Sequence, residues 1–99
     1  MTPPSLKDWL QGRQPPVPGD FLPHLTREGG HVGGPEGLAD RGMGQLHQAL
    51  DRPGREREAA FRLLAADAFI TYACEAAVEG EGALERIEDL LIRLGERPW

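Results

Sequence analysis

The longest run of this chain without Gly or Pro, Arg55 to Glu79 (REREAAFRLLAADAFITYACEAAVE), constrains the fold more than any other feature. With nothing inside it to break a helix, it predicts one about 35 Å long. On a helical wheel its large apolar groups point to several sides. Leu63 and Ile70 lie on one side, Leu64 and Val78 on another, Phe61 and Tyr72 on a third, and Phe69 on a fourth. A helix apolar all round is expected to have neighbours all round. A membrane helix is the competing reading, but Arg62, Asp67 and Glu75 interrupt the run too often. Alanines at 59, 60, 65, 66, 68, 73, 76 and 77 would let neighbouring backbones come close.

The rest of the chain offers limited cover. Most of its 13 Gly and 9 Pro precede Arg55; only Gly80, Gly82, Gly95 and Pro98 follow the central stretch. An irregular N-terminal arm over 1–34 is therefore expected beside a helical core over 35–99, within one domain overall. In the arm, Ser5 to Gln11 reads as a short helical turn capped by Ser5, with Leu6, Trp9 and Leu10 on one side. Gln14 to Gly19, with Pro15, Pro16 and Pro18, reads as a stiff extended connector. Asp20 to Arg27 reads as a second short helix, with Asp20 as N-cap and Pro23 in the first turn. Gly29 to Gly37 reads as a mobile loop. It lacks the Lys-Ser/Thr of a phosphate-binding loop and the preceding strand of a dinucleotide site.

In the core, Pro35 to Leu50 follows helical spacing through Ala39, Met43, Leu46 and Leu50, and Asp51-Arg52-Pro53-Gly54 stops it. Ala83 to Leu94 is the most regular amphipathic segment, its stripe formed by Leu84, Ile87, Leu90, Leu91 and Leu94. Asp89 and Arg93 are placed to pair at i, i+4. The short break at residues 79–82 implies an antiparallel hairpin between helices 55–79 and 83–94. The C-terminal Trp99 is free to pack back or fray. No stretch alternates with period two for long enough to make a strand, so the fold class is all-α, a small helical bundle.

Composition excludes several functions. The net charge of −5 and the lone lysine, Lys7, argue against binding nucleic acid or anionic membrane. One cysteine, Cys74, leaves no intrachain disulfide framework. The first residues have no charged lead followed by an apolar run, so no signal peptide is expected, and no apolar run reaches membrane-spanning length. The expected location is cytoplasmic.

Asp67 is the most informative single residue. Its wheel neighbours are Ala60, Leu63, Leu64, Thr71, Cys74 and Val78, an apolar surface with an acid at its centre. Burial there would require a cap, a partner such as Arg41 or Arg52, or a proton. The functional reading makes Asp67, Thr71, Cys74 and Glu75 a ligand or metal site, or the acid-base site of a small enzyme. Cys74 itself reads as a small core residue. His24, His31 and His47 share no metal-ligand spacing, and Ser5 has no nucleophile-elbow context. An enzyme is therefore disfavoured, and no cofactor is expected. The shortage of cover for the central helix favours a protein-protein interaction module or accessory subunit, partnered by a second copy or by another protein, with Trp9, Phe61, Phe69 and Tyr72 as candidate interface residues.

Overall fold

A computed structural model describes residues 4–51 and 56–96. The expected stop at residues 52–54, the helix start at Arg55, a pairing through Arg52 and the fate of Trp99 lie outside the described residues. Five helices follow in chain order: α1 (Leu6–Gln11), α2 (Leu22–Leu25), α3 (Gly34–Leu50), α4 (Glu56–Val78) and α5 (Ala83–Gly95). Among the described residues there is no strand, and the fold is all-α. None of these helices is long and apolar enough to cross a membrane. The chain divides into two compact units, residues 1–32 and 33–99.

In the first unit, the Ser5 hydroxyl accepts a hydrogen bond from the Asp8 backbone N–H at 3.1 Å, the expected N-cap of α1. Leu6 and Leu10 are fully buried, and Leu25 and Val32 nearly so. Trp9 is half-buried, and the Arg13 guanidinium sits 4.4 Å from its ring centroid. That distance is within cation–π range. The second helix is shorter than its predicted span, Asp20 to Arg27. It covers one turn, and its N-cap is Phe21 rather than Asp20. The Thr26 hydroxyl donates to the Leu22 carbonyl at 3.0 Å and closes it. The glycine-rich stretch also differs from the loop expected over 29–37. The Leu6 N–H donates to the Gly30 carbonyl at 2.9 Å, and a backbone bridge joins Ser5 to His31. From Gly34 onward the same stretch is already the first turn of α3, with Pro35 buried at its start.

In the second unit, α3 and α4 run antiparallel. The Arg62 guanidinium donates to the Gln45 side-chain oxygen at 3.0 Å, and Gly42, three residues earlier on α3, lies against Ala66, Phe69 and Ile70. Position numbers rise on one helix as they fall on the other. A Cβ added at Gly42 would stand 2.8 Å from Ile70 Cγ1 and 3.2 Å from the Ala66 carbonyl oxygen, so the missing side chain is what lets the backbones approach. The core is built there from Leu38, Ala39, Met43 and Ala49 of α3 and Ala65, Ala66, Phe69, Ala73 and Ala77 of α4.

α5 returns against this pair after a four-residue turn whose last member, Gly82, holds φ at 72°, a left-handed value that favours glycine. Only part of its predicted stripe turns inward. Leu90 is buried and Ile87 and Leu94 are half-buried, whereas Leu84 and Leu91 are 72% and 64% exposed. The predicted Asp89–Arg93 pair gives way to a bond between helices. Arg93 donates to both carboxylate oxygens of Asp40 on α3, at 3.0 and 2.7 Å. Those bonds and the Asp40 charge push the Arg93 pKa up, against a small opposing desolvation. Because the folded value is raised, Arg93 itself keeps its charge up to strong alkali.

Candidate interaction face

The central helix is not covered all round. Its two helical neighbours, α3 and α5, leave one lengthwise strip open. Arg57, Ala60, Leu63, Leu64, Asp67, Thr71, Cys74 and Val78 are all exposed. At 100° per residue these positions fall within an arc of about 120°. The exposed apolar groups are large: Leu63 is 49% exposed, Leu64 56% and Val78 54%. The buried positions of the helix are mostly alanines on the opposite side. The inward side is mostly alanine, with Phe69 and Ile70 lying against Gly42 of α3, and the leucines are left on the outside.

Asp67 is thus placed differently from the burial expected of it. It projects to solvent at the middle of this strip, and an exposed carboxylate needs neither a cap nor a counter-ion. Cys74 is likewise exposed rather than a core residue. Of the four residues read as a possible ligand site, Asp67, Thr71 and Cys74 share the exposed strip, and Glu75 lies half-buried at its edge. They share a convex helix surface, with Asp67, Thr71 and Cys74 successively one turn apart and Glu75 next to Cys74, which does not make the concave enclosure a small ligand needs. Among the described residues, no three His, Cys, Asp or Glu side chains come together in a way that could hold a metal ion.

The expected interface residues also divide. Phe69 is 1% exposed and is the largest fully buried side chain of the core, so it is unavailable to a partner. Phe61 is on the border of exposure, and Trp9 and Tyr72 are half-buried. The residues that do present apolar surface, Leu63, Leu64 and Val78, are the same ones that surround Asp67 on the wheel. The signal that could have found their exposure was the alanine ladder at 65, 66, 73 and 77, matched by Ala39, Gly42 and Ala49 on α3. It shows which side of the central helix a neighbour can approach most closely. Compared with known proteins, the chain matches no family model, no curated protein and no solved structure.

Proposed function

We propose that this protein is a protein-protein interaction module that works as a homodimer or as an accessory subunit, in the cytoplasm, and that the open strip of α4 is its contact surface. What carries the reading is the exposure of Leu63, Leu64 and Val78 together along one side of the longest helix. Single exposed leucines are ordinary on a protein surface, but here three large apolar groups, with polar residues between them, share one side of one helix, and exposed apolar surface gathered on one face marks contact sites. The absence of a basic cluster and the net charge of −5 favour a protein partner over nucleic acid or anionic lipid. Sedimentation equilibrium over a concentration series tests it. The wild-type chain is expected to self-associate, and Leu64→Glu is expected to shift it to monomer with an unchanged far-ultraviolet circular dichroism spectrum. A wild-type chain that stays monomeric at every concentration would remove the homodimer version of this reading.

A further inference from the structure

α5 is the most one-sided of the three long helices, yet it commits little of its apolar side to the core. Leu90 is its one fully buried residue, and Ile87 and Leu94 are half-buried. Leu84, Leu91 and Ile92 stay in solvent. α3 and α4, by contrast, bury Leu38, Met43 and Phe69 in the unit they share, and they meet each other far more extensively than either meets α5. The attachments of α5 are spread along its length. At its start, the turn at residues 79–82 is exposed throughout and holds Gly80 and Gly82. Leu90 sits past the middle. Near its end, Arg93 forks onto both carboxylate oxygens of Asp40 on α3. We infer that α5 is a latched strap, which leaves α3 and α4 as one piece by pivoting at the exposed turn, while α3 and α4 stay paired. This does not depend on what the open strip of α4 binds.

Each attachment is weak enough to release. Leu84, Leu91 and Ile92 already meet water in the closed form, so they do not resist opening. The apolar burial that does resist it comes from Leu90, with part of Ile87 and Leu94. The Arg93 fork has good geometry, but its two side chains are 44% and 38% exposed, so it biases the closed form rather than locking it. A helix of 13 residues is marginal by itself in water, so α5 is helical only while it is docked. Leaving and unravelling are therefore one event, a cooperative local unfolding. Parting α3 from α4 would instead expose Phe69, Leu38 and Met43 together, which amounts to unfolding the unit. Opening bares Leu90 and the apolar surface beneath it, which nothing can reach in the closed form.

Native-state hydrogen exchange on the full chain, resolved by NMR, tests the strap. The amides of Arg86 to Gly95 in α5 are compared with those of Ala66 to Ala73 in α4. In the wild type the α5 amides should be protected to a common degree and should exchange at least about tenfold faster than the α4 set. Leu90→Ala should speed α5 exchange by about thirtyfold, or up to the unprotected rate. Asp40→Asn should speed it by about two- to fivefold. The α4 set should move much less in both variants. Equal protection of the two segments in the wild type would overturn the inference, and so would α5 amides with no protection, since nothing would then be latched. A variant that accelerates both segments alike would also overturn it. So would Leu90→Ala unfolding the whole chain by circular dichroism, because α3 and α4 would then not outlast α5. Unchanged α5 exchange in Asp40→Asn would remove the latch, and the inference with it.

Discussion

Two glycines on one helix have opposite roles. Gly42 is buried at the closest approach of α3 to α4, where an added methyl would meet Ile70 and the Ala66 carbonyl. Gly44 is two residues further on with nothing within 4 Å of an added Cβ. Glycine in a helix interior costs about 1 kcal/mol relative to alanine through backbone entropy. Gly44→Ala should therefore raise stability by up to about 1 kcal/mol. Gly42→Ala gains the same entropy, but it must push apart two backbones that are already in contact. It should lose a net ~1–3 kcal/mol. Urea titrations of the two variants beside the wild type check both signs. Two alanines that moved stability the same way would show that the helices can separate at little cost.

The helices themselves were legible in the sequence because breakers and caps act locally. The span predicted over 83–94 appears as Ala83–Gly95, and that over 55–79 as Glu56–Val78, as far as the described residues reach. Ser5 caps α1 as its spacing with Asp8 implies. What the wheel could not resolve was which side of α4 is inside. Its apolar groups are spread so evenly that it has almost no preferred direction, and burial is decided by what α3 offers. Gly42 and Ala39 offer close approach, so alanines win the interior over leucines, and Asp67 is carried outward with Leu64. Distant pairing was equally hidden. Arg93 chooses Asp40, fifty-three residues away, over Asp89 one turn away. The exception among the fully buried residues of α4 is Phe69, the one large group beside four alanines. Phe69→Ala should cost about 3–5 kcal/mol, enough to unfold much of the helical unit at room temperature. A melt followed by circular dichroism checks it, with Leu84→Ala, at a 72% exposed site, expected to change little.

At the scale of the whole molecule, the chain spends its large apolar residues in an unusual way. Much of the helical unit's core is alanine, at 39, 49, 65, 66, 73 and 77, while Leu63, Leu64, Val78, Leu84, Leu91 and Ile92 remain at the surface. The alanine core has a thermal consequence. Unfolding a core of small side chains releases less apolar surface to water per residue, and that surface is the source of the heat-capacity change. Scanning calorimetry should find that change below the usual ~12–15 cal/mol/K per residue. A small heat-capacity change flattens the curve of stability against temperature. Backbones held in close contact by the absence of a side chain at Gly42 would then give a domain whose modest stability varies little between cold and warm conditions.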